Sequence, residues 1–469
     1  MVFYLISKKI LQSSIILNLL GLVIYYVLSP FIRGFRVKLR SKALNACVPP
    51  IGEKYWGAGI HLIRNFVKVN PGDLIKGLEP KDKPSISLIF LTGAFDCVVR
   101  DPKLLNQILS GPECKSVSRG EHFISAFNEL LDKLSNFKIN DTWKFHHETL
   151  KPFLTKSRTS DVNLKRIDQM IMMFHEHAKT ASPININKIF HKFTFDNTFE
   201  FLAGWKSSDF SSGYDDSTAK FIASFETLTI RTLIKFWLDP FKHIYQVVLY
   251  PFKSPKETLN SVMDKLIQDA LNRKNSDSTM TEKKSNDYPS FLDYLVVQID
   301  DHQMLRDQLL NTLLVGRDTT TTLLTSTIIF LSDHPELYQK LREDVINVLG
   351  KNESPDIWRL KSCSLIDAVV KETLRCDKDT VLKASDGNDY FFPKDFHICT
   401  NFWAVLRQLF YTFKFILAVL SFLNRDPDFW GHDADKWDPF RWLDDRRQKV
   451  IENPGIYTPF GFGPRVCPG

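Results

Sequence analysis

The stretch Tyr457-Thr-Pro-Phe-Gly-Phe-Gly-Pro-Arg-Val-Cys-Pro-Gly469 restricts this chain more than any other. Read from its residues alone, it is a tight turn that presents one cysteine. Gly461 and Gly463 permit positive φ, so the backbone can fold close to something flat. Arg465 stands two residues before Cys467, within reach of an anion bound beside the sulfur. Pro468 directly after the cysteine suits the first position of a new helix. That arrangement places Cys467 at a helix N-terminus, where the dipole favours a thiolate.

A thiolate on a Gly-rich turn with Arg close by is what a haem iron and its propionates need. The stretch resembles the haem-binding loop of the cytochrome P450 family, the haem-thiolate monooxygenases, whose pattern is Phe-x-x-Gly-x-Arg-x-Cys-x-Gly. Phe460, Gly463, Arg465, Cys467 and Gly469 fill its five fixed positions. A lone cysteine in a Gly/Pro-rich loop carries no function by itself; the five positions together make a strong motif. The resemblance implies haem b with Cys467 as axial thiolate ligand. It also implies a mainly α fold with a small β region.

Composition agrees with one large globular body. The chain has 469 residues, 43% hydrophobic and 25% charged, and no linker long enough to separate two domains. Its 37 phenylalanines suit an apolar interior and a greasy pocket. A net charge of +7 and a pI near 8.8 fit a membrane surface or an acidic partner, and no basic cluster demands nucleic acid. The seven cysteines are scattered, with no CxxC pair and no disulfide framework, so the body is expected to face a reducing compartment.

Residues 1–9 form a short tail, and 10–32 carry no charge. Within them Ile15 to Leu28 is apolar except for Asn18 and Gly21. A membrane span needs about 20 such residues, so 10–32 is expected to be a transmembrane anchor. A cleaved signal peptide is the competing reading, but no small-residue cleavage site follows. Lys8 and Lys9 precede the span, whereas Arg33, Arg36, Lys38, Arg40 and Lys42 follow it. The excess on the C-terminal side predicts a single-pass protein with its body in the cytosol. Residues 33–50 form a basic, proline-closed linker, similar to the Pro-rich hinge of microsomal family members. That likeness implies the endoplasmic reticulum membrane, with 51–469 as the haem-thiolate catalytic domain.

Trp143-Lys-Phe-His-His147 opens a helical stretch that runs to about Phe153. It resembles the family's Trp-x-x-x-Arg helix, whose two named residues touch the haem propionates. Trp143 matches, but His147 replaces Arg. A neutral imidazole donates one hydrogen bond where Arg donates a charged fork, which implies weaker haem retention. A core Trp on an amphipathic helix would read the same way without any cofactor. Phe190 to Trp205 reads as a buried helix and resembles the one before the family's substrate lid. Residues 221–252, aromatic and apolar around Pro240 and Pro251, correspond to the roof of the substrate pocket. Ser276 to Asp287 is polar, a solvated loop.

From Asp307 about two dozen mostly apolar residues run without a proline, broken by Val315-Gly-Arg-Asp-Thr-Thr320. A Gly and polar side chains at the middle of a buried helix invite a local distortion, where a threonine hydroxyl bonds back into the ladder. Isolated Asp-Thr-Thr triplets mostly lie on solvated helix faces. This one resembles the family's oxygen-activating helix, Ala/Gly-Gly-x-Asp/Glu-Thr-Thr, in Gly316, Asp318 and Thr319. Val315 stands where Ala or Gly is usual, and its bulk is expected to narrow the pocket. The resemblance makes Asp318 and Thr319 the catalytic pair that relays protons to oxygen.

Glu372-Thr-Leu-Arg375 is a charged pair at i, i+3, common on helices and worth a few tenths of a kcal/mol. It resembles the family's Glu-x-x-Arg, which pairs with a later Arg in Trp437-Asp-Pro-Phe-Arg-Trp442. Arg441 fills that slot, and Phe440 replaces a frequent Glu. The implied ion network of Glu372, Arg375 and Arg441 positions the cysteine loop. Between the two elements, Cys376-Asp-Lys-Asp-Thr replaces a Pro-containing turn, and the apolar insert Leu409 to Leu423 has no family counterpart. Fifteen residues with Lys414 near their centre are short for a span, so the insert reads either as translated intron or as an interfacial helix.

The resemblance implies insertion of one oxygen atom from O2 into a C–H bond of a small apolar substrate. The thiolate pushes electron density to favour O–O cleavage. Electrons would come from NADPH through a separate diflavin reductase docking near Lys144, Lys151, Lys156 and Arg158, with membrane lipid as a further partner. The segments Trp143 to His147 and Phe193 to Gly204 look most like those of fungal alkane and fatty-acid hydroxylases. Two other readings stand beside this one: a haem-binding protein without turnover, and a haem-thiolate isomerase or dehydratase. In the family a long helix begins at the cysteine, whereas this sequence stops at Gly469. The domain is therefore expected to be incomplete at its C-terminus and to hold haem poorly.

Overall fold

A computed structural model of the chain describes residues 35, 86–91, 94–99, 101–111, 127, 130–131, 141–155, 161–180, 184–204, 214–237, 254–276, 288–351, 356–376, 380–383, 389–392, 426–434, 436–460 and 463–467. After the helical residue Phe35, the first elements among the described residues are two antiparallel strands, β1 (Ile86–Leu91) and β2 (Ala94–Val99), paired from Ile86 opposite Val99 to Leu91 opposite Ala94. Helices then dominate: α1 (Pro102–Ser110), α2 (Asp141–Thr155), α3 (Asp161–Lys179), α4 (Ile186–Ala203) and α5 (Asp216–Trp237). They continue with α6 (Lys256–Ser276), α7 (Phe291–Gln298), α8 (His302–Ser332), α9 (Pro335–Leu349), α10 (Ile357–Leu360) and α11 (Ser364–Arg375). A second antiparallel pair, β3 (Thr380–Lys383) with β4 (Asp389–Phe392), follows. After α12 (Pro427–Trp430) come short 3-10 turns and α13 (Gln448–Glu452).

The long helix α8 starts at His302, five residues before Asp307, because Asp301 caps it. Its Oδ1 accepts from the amides of Gln303 (3.0 Å) and Met304 (3.1 Å). The helix runs unbroken to Ser332, so the distortion expected at Val315–Thr320 is absent. The reason lies in its threonines. Thr312, Thr319, Thr321, Thr322, Thr325 and Thr327 each donate their hydroxyl to the carbonyl four residues earlier, at 2.6–2.9 Å. These residues have poor helix propensity, but here their polar groups are satisfied without interrupting the helix.

Helix α8 lies along α4. At Gly316 an added Cβ would stand 3.1 Å from Thr198 Cγ2, so the glycine sets how near the two backbones come. Thr194 and Thr321 share a hydrogen bond of 2.7 Å across the interface, and Asn187 donates to Thr325 at 3.4 Å. Helix α4 ends at Gly204, which takes φ 69° and so stops the helix in a left-handed residue. Around this pair, Phe195, Phe199, Phe221, Phe225, Leu228, Met263, Phe291, Leu309 and Leu313 form the main core. Each such side chain contributes roughly 1.5–3 kcal/mol by leaving water. The predicted helix over Phe190–Trp205 is thus observed as α4.

A second core joins Phe330, Leu337, Leu365, Val369 and Trp437, with the Phe330 and Trp437 rings stacked 5.0 Å apart. A third joins Ala368, Trp430, Trp442 and Ile456. Both lie against α11, so that helix is fixed on two sides. Among the described residues no helix is long and apolar enough to cross a membrane. The tail 1–9, the anchor 10–32, the linker 33–50 apart from Phe35, the 409–423 insert and the 277–287 loop lie outside the described residues.

Candidate functional site

The most densely bonded part of the candidate site is an ion network built on α11. Glu372, fully buried, accepts five N–H groups. Arg375 donates from Nε (2.9 Å) and Nη2 (2.8 Å), Arg441 from Nε (3.0 Å), Trp442 from Nε1 (2.9 Å) and Asp438 from its backbone (2.9 Å). Arg375 also reaches the carbonyl of Lys436 at 2.8 Å, and Arg441 that of Asp433 at 3.1 Å. Outside them, Arg446 bridges Asp433 (2.9 Å) and Asp438 (2.7 Å). Local sequence explains the assembly: Pro439 starts a 3-10 turn capped by Asp438, and that turn aims Arg441 and Trp442 at α11. Glu372, Arg375 and Arg441 therefore meet as their pattern implied. Trp442, Asp433, Asp438 and Arg446 are additional members that the sequence alone did not single out.

The cysteine turn is closed by its own backbone. The amide of Cys467 donates to the Phe460 carbonyl at 2.8 Å, and that of Val466 to Gly463 at 3.0 Å. Gly463 takes φ 73°, the left-handed conformation expected of a glycine there. None of Cys363, Cys376 and Cys467 is in a disulfide; the first two are buried and Cys467 is exposed. Phe460 is 52% exposed beside it. Helix α1 packs against the Gly463–Arg465 segment. From α2, His147 donates Nε2–H to the Val466 carbonyl at 3.0 Å. Trp143 lies in the first turn of α2; its side chain and that of Arg465 lie outside what is described.

On α8 the expected pair splits. Thr319 is exposed, with its hydroxyl on the Val315 carbonyl at 2.6 Å, and Val315 is 44% exposed on the same face. Asp318 points elsewhere. Its Oδ1 lies 3.4 Å from Arg317 Nε and 3.6 Å from His191 Nδ1 on α4. Arg317 in turn donates to Glu226 of α5 at 2.6 Å. Burial pushes the Asp318 carboxyl up to about 6, with Arg317 acting against the rise and Glu226 adding to it. Burial, then the charge of Arg317, pushes His191 down to about 3, so its imidazole is neutral. His191 gave no signal in the sequence, where it is one histidine in a phenylalanine-rich helix.

A family profile described as Cytochrome P450 matches residues 80–411 and 415–469. The chain belongs to the cytochrome P450 family. It is similar to Cytochrome P450 52A12 of Debaryomyces hansenii, 31% identical over 358 residues, which cover 70% of this chain and 64% of the relative. Cytochrome P450 52A4 of Candida maltosa is 29% identical over 352 residues, 70% of this chain and 61% of that protein. Cytochrome P450 monooxygenase g430 of Fusarium sp is 26% identical over 494 residues, 95% of this chain and 80% of that protein. Against the first two, the chain therefore spans less than two thirds of the relatives' own length. The profile match breaks at 412–414, inside the apolar stretch 409–423.

The family's cofactor is haem b, held by a cysteine thiolate. The residues present fit it: an exposed thiol outside any disulfide stands on a turn closed by backbone hydrogen bonds. His147 departs from the family pattern, since its Nε2–H is already spent on the Val466 carbonyl.

Proposed function

We propose that this chain is a membrane-anchored haem-thiolate monooxygenase that inserts one oxygen atom from O2 into an apolar substrate, an alkane or a fatty acid. Electrons come from NADPH through a diflavin reductase, and the body faces the cytosol from the endoplasmic reticulum membrane. The observation that carries this reading is the exposed Cys467 thiol on its closed turn, in a chain of this family. When bound, haem supplies the iron at which dioxygen is activated. Cys467 would hold the haem iron through its thiolate, Phe460 and Gly463 would shape the turn that presents it, and Arg465, Trp143 and His147 would be the residues to hold the propionates. Glu372, Arg375 and Arg441 tie α11 to Asp433, Lys436 and Trp442.

The chain's own residues supply the rest. Val315 presents an apolar surface and Thr319 a hydroxyl on one exposed face of α8, which suits an apolar substrate next to a proton donor. Asp318, with its pKa near 6, is able to take and release a proton around neutral pH. Lys144, exposed on α2 with Glu148 3.8 Å away, can be drawn to an acidic partner surface such as a reductase.

Reduction under CO tests the assignment. The red-shifted Soret band of thiolate ligation is expected in the parent protein and absent in Cys467→Ala. With reductase and NADPH, the parent should hydroxylate a long-chain fatty acid or alkane. A band that survives the substitution moves the ligand to another cysteine, and a normal band without product on either substrate class removes the substrate reading.

A further inference from the structure

The contact between His191 and Asp318 has no role in the function proposed above. The two atoms that face each other, His191 Nδ1 and Asp318 Oδ1, are both buried and neither has a hydrogen-bond partner. They are 3.6 Å apart, beyond hydrogen-bond length but within a small side-chain rotation of it. A buried polar atom left without a hydrogen-bond partner is costly, so a donor and an acceptor held opposite each other need a reason. Hydrogen bonds in active sites are often long before substrate binds and tighten afterwards. The imidazole reaches Asp318 because Gly316 lets α8 lie close to α4.

The charged groups facing Asp318 are Arg317 from its own helix, Glu226 from α5 through Arg317, and His191 from α4. Asp318 and Thr319 are consecutive, hence about 100° apart around the helix. A carboxylate held toward α4 is therefore held off the face that carries Val315 and Thr319. In the Nδ1–H tautomer, a neutral His191 donates to the carboxylate and stays neutral throughout. The ring side chain is 13% exposed, so it is not sealed from solvent.

Resting on the haem-thiolate reading, we propose that His191 is a positioning residue for Asp318: its Nδ1–H holds the carboxylate on the α4 side and sets when it turns toward Thr319. The proton on Nδ1 stays there; only Asp318 exchanges a proton with the reaction. Losing the donor should make Asp318 easier to protonate and free to rotate. Glutamine, which retains an N–H donor, should substitute in part.

The test uses full-length protein with 15N-labelled histidine as its diamagnetic ferrous CO complex, together with His191→Phe and His191→Gln. The His191 ring signal is assigned by its loss in either variant. In Asp318→Asn that signal is expected to shift, with a change in tautomer ratio. The acid limb of the profile of product formed per NADPH should move up by about 0.5–1 pH unit in His191→Phe and return toward the parent in His191→Gln. An unmoved ring signal in Asp318→Asn, or the same acid limb in His191→Phe as in the parent, overturns the proposal. The CO spectrum separates the two ideas. A thiolate band in every variant leaves the haem reading standing whichever way His191 falls. If the parent lacks that band, the haem reading fails, and the ring signal in haem-free protein still decides whether the pair is coupled.

Discussion

The indole N–H of Trp442 lies 2.9 Å from Glu372 Oε2, a buried bond between residues 70 positions apart in sequence. It makes tryptophan a fourth member of a network usually described by its charges. Glu372→Gln should destabilise the fold by about 3–5 kcal/mol, because two buried guanidinium groups lose their counter-charge. Trp442→Phe retains most of the ring packing and loses one bond to a charged acceptor, costing about 1.5–3 kcal/mol. Denaturant unfolding of the two single variants and the double variant measures the coupling. Strict additivity would place Trp442 outside the network.

Gly316 and Thr198 offer a cleaner cycle. Alanine at 316 gains about 1 kcal/mol of helix propensity but presses a Cβ to 3.1 Å from Thr198 Cγ2 and 3.2 Å from its Oγ1. Overpacking of that kind costs about 1–3 kcal/mol. Gly316→Ala should therefore be destabilising in the parent and stabilising by about 1 kcal/mol in a Thr198→Ala background. The sign change, read by thermal unfolding, is the outcome to look for.

Stability should depend on pH in a way that pits buried groups against each other. Burial pushes His146 down to about 4, and burial with Arg317 pushes His191 down to about 3, from an ordinary value of 6.5. The unfolded chain therefore binds these two protons first, and the stability they contribute is lost as pH falls from 6.5 toward 3. Asp318, raised from 3.8 to about 6, acts in the opposite sense, and its contribution is lost as pH rises through that window. From these three groups, two histidines against one carboxyl, stability should rise between pH 4 and 6. Asp318→Asn should steepen that rise, and His191→Gln should flatten it. Melting temperatures across the window check both slopes.

Thr319 donates to the Val315 carbonyl from an exposed position, so its hydroxyl contributes little to stability. Thr319→Val should fold within about 0.5 kcal/mol of the parent and retain the thiolate CO spectrum. Reducing equivalents should then go to peroxide, and Thr319→Ser should restore coupling. Equal NADPH-to-product ratios in the parent and the valine variant would remove Thr319 from proton delivery.

Much of this was readable from residue order. Arg441 lies 69 positions after Glu372, yet the Asp-Pro-Phe-Arg-Trp pattern already named it as the partner, and the structure brings the two together. The helix over Phe190–Trp205 followed from its apolar, phenylalanine-rich run, and the structure adds Gly204 as the residue that ends it. What escaped depends on rotation and neighbours. An Asp beside a Thr reads as one motif, but successive helical residues point about 100° apart, so Asp318 meets α4 while Thr319 does not. His191 became visible only when Gly316 brought its helix close. The unbroken α8 also went against expectation, because hydroxyl back-bonding in this run satisfies side chains without opening the ladder.

Gly455 sits so near α1 that an added Cβ would be 2.6 Å from the Pro102 carbonyl oxygen, and α1 also covers the Gly463–Arg465 turn. On the ribosome, about 350 residues separate those two halves, or roughly 20–70 s at ordinary synthesis rates. For that interval the parts of α1 and α2 that meet Gly455 and the cysteine turn lack those partners, although α1 already has β2 beside it, and contacts of such sequence separation close late and slowly. Iron capture must therefore follow translation of the cysteine turn. A nascent chain stalled before Gly455 should remain colourless and hold chaperones, and should take up haem only after translation resumes.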